Sequence, residues 1–84
     1  MDTEVVFPII HKILTENGFG VRPEELFLET NFKVDLGLDS LDVVDIIILT
    51  ETEFDIDIPD EDVEYIKTVK DLINYIVTRM SKGS

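Results

Sequence analysis

The chain has no cysteine and no tryptophan, and its 84 residues include only seven lysines and arginines against nineteen acids. Without cysteine there is no disulfide framework, no thiolate metal site and no thiol nucleophile. That composition fits a reducing interior, and a cytoplasmic location is the expectation. Long apolar runs are also missing. The longest, Ile46-Ile47-Ile48-Leu49, is four residues, far short of the roughly 20 that cross a bilayer. No basic-then-apolar leader is visible, so neither secretion nor membrane spanning is expected. The shortage of basic residues leaves a net charge of −12, which repels phosphate backbones and argues against nucleic-acid binding. Histidine is nearly absent as well. His11 stands alone beside the apolar run of the first helical segment, where it reads as a boundary residue, and no catalytic residue is expected.

The acids that dominate the composition are concentrated. No lysine or arginine lies between Lys33 and Lys67, a window holding Asp35, Asp39, Asp42, Asp45, Glu51, Glu53, Asp55, Asp57, Asp60, Glu61, Asp62 and Glu64. A charge run taken alone is usually a solvated, solubilising face. Here it surrounds Ser40, a lone serine within the acidic window, which favours a docking surface for basic partners. Steering by such a surface speeds encounter while leaving affinity modest and sensitive to salt.

The small size predicts one domain, residues 1–84, whose core gives a stability margin of only a few kcal/mol. Val5, Val6, Ile9, Ile10, Ile13 and Leu14 recur at helical spacing, predicting a first helix over about 4–17 with Asn17-Gly18 as its stop. Pro8 lacks an amide donor and crowds the preceding turn. Either the regular helix begins near Phe7 or its first turn is kinked. Residues 18–39 form a long connection. Pro23-Glu24-Glu25-Leu26-Phe27 suits a helical turn with proline at its first position, and Leu26, Leu28, Phe32 and Leu36 pin the connection to the helices. A second helix is expected over 40–54, with Leu41, Val44 and Ile48 on one stripe and Val43, Ile47 and Phe54 on the next. Ile46 and Leu49 widen its apolar arc. Ile56 and Ile58 alternate with acids, but a lone run has no pairing partner and reads as a loop with tucked isoleucines. A short acidic helix over 60–65 follows. The last helix, 69–80, starts behind Thr68, whose spacing to Asp71 is a variant capping box, and residues 81–84 read as a frayed tail. The fold class is therefore all-α: a small antiparallel bundle of three main helices and one short one, with a long first crossover. A monomer is expected.

Within this frame the most informative stretch is Asp35-Leu36-Gly37-Leu38-Asp39-Ser40-Leu41. It sets one hydroxyl at the opening of the second helix. Asp39 or Ser40 can cap the first-turn amides, and Gly37 permits a sharp entry. Free amides and the positive dipole end make a helix start hospitable to an attached phosphate. The bland role for Ser40 is that of a cap. A catalytic serine needs a base and an oxyanion hole, neither of which the sequence supplies. The acidic loop invites a calcium reading that fails on inspection: with Asp55 first, the third ligand position falls on Pro59, the turn glycine on Asp60 and the closing acid on Ile66. Gly18-Phe19-Gly20 lacks the lysine of a phosphate-binding loop. No metal site is expected.

The Asp-Leu-Gly-x-Asp-Ser-Leu run, with Asp42 and Val44 after it and Glu53-Phe54-Asp55-Ile56-Asp57-Ile58-Pro59-Asp60-Glu61-Asp62 closing the segment, resembles the free-standing, type II acyl carrier proteins of fatty acid synthesis. The resemblance is close over 31–76 and one of pattern over 4–30. It implies the carrier fold and a 4′-phosphopantetheine arm on Ser40, whose terminal thiol carries the acyl group as a thioester. It further implies that Asp39 helps position the serine and any metal that the modifying transferase needs. Leu41, Asp42, Val44, Asp45, Ile48, Glu51 and Glu64 would form the recognition face. Val44, Ile47, Ile48, Ile58, Ile66, Leu72 and Ile73 would line an acyl pocket between helices, although the core role of these residues is equally expected. Partners implied are a phosphopantetheinyl transferase (holo-carrier synthase) and fatty acid synthase-type enzymes with basic docking patches. Departures from the family pattern are Thr50 at a commonly apolar position, Leu72 at one often small, and Thr52 at one often acidic. Leu38 stands where aminoacyl carriers usually place a second glycine, which favours acyl cargo. A specialised polyketide or aminoacyl carrier, or an unmodified acidic adaptor, are the alternatives.

Overall fold

Four α-helices account for most of the chain in the computed structural model, which describes residues 2–82. Helix α1 is Thr3–Glu16, α2 is Ser40–Phe54, α3 is Asp60–Val63 and α4 is Val69–Lys82. There is no strand among the described residues, so the sequence's all-helical reading, three main helices and a short fourth, describes the molecule.

Asp2 starts α1 by accepting a hydrogen bond from the Val5 amide at 3.3 Å, the usual service of an acidic N-cap. The helix does not wait for Phe7: Pro8 lies inside it. Proline leaves the Glu4 carbonyl without an amide from position 8, yet both residues are exposed, where water can serve that carbonyl. Asn17 closes the helix, its side-chain amide donating to the Ile13 carbonyl at 2.8 Å. Val6, Ile10, Ile13 and Leu14 are buried on one face, which packs against both α2 and α4.

The crossover from α1 to α2 is ordered by its own bonds. Pro23–Glu25 forms a 3-10 turn, with the Arg22 amide donating to Glu25 Oε1 at 3.0 Å. That bond holds the Glu25 carboxyl below its ordinary range despite some opposing desolvation. Thr30 is buried, accepting from the Phe27 amide at 2.8 Å and donating to the Glu25 carbonyl at 3.0 Å. Leu26 and Phe32 are buried, and Leu28 and Leu36 pack partly against the core. The connection also reaches the far end of the chain. Its Leu28 and Thr30 carbonyls accept the Lys70 and Val69 amides at 2.8 and 3.0 Å, satisfying donors that a helix start otherwise leaves orphaned. Thr68 and Asp71 complete the cap of α4 by exchanging bonds of 3.1 Å each way.

Two ends differ from the sequence expectation. Helix α3 stops at Val63, short of 65, and α4 takes in Ser81 and Lys82, half of the expected frayed tail; the remainder, 83–84, lies outside the described residues. Between α2 and α3, Ile58 is buried and Ile56 half-buried. Val69, Leu72, Ile73 and Ile76 of α4 are fully sealed, each contributing about 1.5–3 kcal/mol by burial. Thr50, the polar departure in α2, is equally sealed, its hydroxyl donating to the Ile46 carbonyl one turn back at 2.8 Å.

Candidate functional site

The nine residues before Ser40, 31–39, fold into a tight turn that presents it. Asn31 Oδ1 accepts the Lys33 and Val34 amides at 3.0 and 2.9 Å, and the Asn31 amide donates to Asp35 Oδ2 at 2.7 Å. Gly37, at φ +67°, reverses the chain, a conformation that costs any side-chain-bearing residue about 1–2 kcal/mol. Leu38 is buried next to it and its amide donates to the Phe32 carbonyl at 3.1 Å. The main chain therefore arrives at Asp39 anchored on both sides.

Asp39, not Ser40, caps α2. Its Oδ1 accepts the Asp42 amide at 2.9 Å while Asp42 Oδ2 accepts the Asp39 amide at 3.4 Å, a reciprocal capping box. Both carboxylates also sit favourably at the positive end of the helix. Ser40 is thus the first residue of α2, solvent-exposed, its hydroxyl free of capping duty. The Ser40 and Leu41 amides make no bond elsewhere within the described residues. They and the exposed hydroxyl present donors and a nucleophilic oxygen at one spot, which fits attachment of a phosphate ester.

The polar neighbour of Ser40 is a cation. Lys33 Nζ donates to Ser40 Oγ at 3.2 Å. Sequence reading missed this contact because the pair lie seven positions apart with no spacing rule to join them; only the fold of the intervening turn brings Lys33 back to Ser40. Both residues border an open cleft of about 780 Å³, within the range of small-molecule sites. Phe32, Val34, Val43, Val44, Val63, Tyr65 and Ile66 give it apolar walls, with Asn31, Glu64 and Lys67 adding polar groups.

The residues expected at a recognition face fall into two groups. Leu41, Val44 and Ile48 are exposed (75%, 46% and 51%), an apolar stripe on the outside of α2, with Asp45 exposed alongside and Glu64 exposed at the cleft. Asp42 and Glu51 are half-buried and already engaged: Asp42 in the capping box, Glu51 as acceptor of the Ile58 amide at 2.8 Å. Glu51 fastens the loop after α2, so less of its charge is free to face a partner than the sequence suggested.

The expected acyl-pocket set separates as well. Val44 and Ile66 border the cleft. Ile47, Ile58, Leu72 and Ile73 are packed in the core, and Ile48 lies on the outer surface. Helical periodicity marks which side chains are buried but not whether they close on one another or flank open space. His11 touches neither region; its ring meets the edge of Phe7 at 6.1 Å between centroids. No group of three or more His, Cys, Asp or Glu is placed to hold a metal ion among the described residues. No helix there is long and apolar enough to cross a membrane.

Residues 18–76 match the family model described as a phosphopantetheine attachment site, a span that includes the turn, Ser40 and the cleft. The chain is also similar to a protein of Bdellovibrio bacteriovorus named acyl carrier protein, with 44% identity over 71 residues, covering 84% of this chain and 90% of that one. Taken with the four-helix architecture, these matches show that the chain belongs to the acyl carrier protein family, whose prosthetic group is a covalently attached 4′-phosphopantetheine.

Proposed function

We propose that Ser40 bears the 4′-phosphopantetheine arm and that the chain shuttles acyl intermediates among enzymes of fatty acid or related lipid biosynthesis. The observation that carries this reading is the division of labour at the start of α2: Asp39 supplies the cap, leaving an exposed Ser40 hydroxyl at the first helical position. The prosthetic group supplies a thiol that holds acyl groups as thioesters. Everything else is positioning by the chain. Ser40 Oγ forms the new ester bond to phosphorus as the nucleotide portion of coenzyme A departs, its proton passing to a base of the transferase. In this reading the chain is a substrate and tether for its partner enzymes, not a catalyst.

The stripe of Leu41, Val44 and Ile48 receives apolar side chains of a partner, while Asp45, Glu64 and the outward parts of Asp42 and Glu51 meet its Lys and Arg. The phosphopantetheinyl transferase and the synthase-type enzymes would share this face, as would be expected of cytoplasmic partners that each visit briefly. Tethering raises the acyl group's effective concentration at each docked enzyme, and weak docking lets the carrier leave. Val44 and Ile66 already border open space, whereas an acyl chain reaching Ile47, Ile58, Leu72 or Ile73 must part close-packed side chains. Incubation with a phosphopantetheinyl transferase and coenzyme A tests the attachment. The intact mass of the wild type should rise by one arm and that of Ser40→Ala should stay unchanged. Loading of Ser40→Ala would refute the assignment.

A further inference from the structure

The window from Lys33 to Lys67 contains no other basic residue, yet both of these lysines border the cleft on which Ser40 opens. Lys33 is the closer partner: its ammonium donates to Ser40 Oγ at 3.2 Å. It is placed there by the folded turn, since the Gly37 amide donates to the Lys33 carbonyl at 3.1 Å and Asn31 Oδ1 holds the Lys33 amide. The remaining charges around the spot, Asp35, Asp39 and Asp42 on the turn and helix start and Glu64 on the cleft, are negative, and no ion pair engages Lys33 among the described residues.

A phosphodiester on Ser40 adds a further negative charge to this acidic setting. We propose that Lys33 is the positioning residue for that phosphate: its ammonium exchanges a bond to a neutral hydroxyl for an ion pair with the ester, and holds the root of the arm over the Lys33 side of the cleft. This rests on Ser40 being the attachment point. A pair in which donor and acceptor are both charged is stronger than the ammonium–hydroxyl bond it replaces, so loading should stabilise the fold more when Lys33 is present. Lys33 is solvent-exposed and its side chain supports no core contact, so substitution leaves the bundle intact.

The experiment compares melting temperatures before and after loading in the wild type, Lys33→Gln and Lys33→Arg, with intact mass confirming each product. At low ionic strength the change on loading should be more favourable in the wild type than in Lys33→Gln by about 1–5 °C, the size of an exposed ion pair in a domain this small. Lys33→Arg should behave as the wild type, and 1 M salt should erase the difference. The phosphorus resonance of the loaded wild type, read by nuclear magnetic resonance, should move between low and high salt and sit at its high-salt position in Lys33→Gln. Equal responses to loading in all three proteins, or a phosphorus resonance indifferent to both salt and substitution, overturn the Lys33 assignment while leaving the attachment intact. Absence of any mass gain in the wild type overturns the attachment itself.

Discussion

At Gly37 the backbone carries the whole constraint. Its φ of +67° is left-handed, and a Cβ added there meets no heavy atom within 4 Å. Gly37→Ala therefore probes conformational strain without a clash, and should lower stability by about 1–2 kcal/mol, read as an earlier denaturation midpoint with unchanged slope. Asp39 and Ser40 show how much one residue's identity leaves open. Either could cap a helix by its chemistry, and sequence does not choose between them; the choice follows from where the main chain turns at Gly37 and Leu38. Lys33 was illegible for the same reason, because its approach to Ser40 depends on the fold of the intervening turn and not on any spacing rule. Thr50 shows the opposite case. Sequence marked it only as a polar residue at a commonly apolar position, and once it is buried the Ile46 carbonyl four residues back is the partner that a helix offers such a group.

Among the elements, α1 and α4 were the most legible, since their apolar residues recur at helical spacing and their caps use familiar residue pairs. Pro8 left open where the regular part of α1 begins, and the structure answers it: a single proline on an exposed face removes one amide bond, which the buried face of Val6, Ile10, Ile13 and Leu14 outweighs. The short α3 is read less well because four residues have no periodicity to detect. It is tied down instead by a contact that only the structure shows. Tyr75 of α4 donates to Asp62 Oδ2 of α3 at 2.7 Å and accepts from Arg79 at 3.0 Å, with the guanidinium over its ring. Partial burial, and then the bond to Asp62, push the Tyr75 hydroxyl above its ordinary value near 10. A proton held more tightly in the folded state gives stability that is complete below the unfolded pKa and is lost as pH rises through the folded one. Tyr75→Phe should cost about 1 kcal/mol at neutral pH. In denaturant titrations the gap between the two proteins should hold up to about pH 10 and close above it; a gap that widens at alkaline pH would refute the pairing.

Across the whole molecule the net charge of −12 is borne largely by α2, α3 and the loop between them, while among the described residues the ion pairs join only Arg22 to Glu24 and Glu25. The folded chain thus holds like charges close together with little internal compensation. Raising monovalent salt from 0.01 to 0.3 M shortens the screening length severalfold and should raise the melting temperature, most simply followed by circular dichroism. A flat or falling midpoint would contradict the view that repulsion limits stability. This charge pattern, the all-helical architecture and the serine at a helix start were all legible from residue order, because each depends on local spacing or summed composition. The shape of the cleft was not, since Ile66 is buried like Leu72 and Ile73, and only the placement of neighbouring elements sets it, with the exposed Val44, at the cleft wall.

Site-resolved mass spectrometry on the transferase-loaded protein bears most directly on the central assignment. Digestion and fragment sequencing should find the phosphopantetheine ester on Ser40 and on no other hydroxyl. An arm located on a different residue, or a Ser40 peptide left bare while the intact protein has gained the arm's mass, would contradict it.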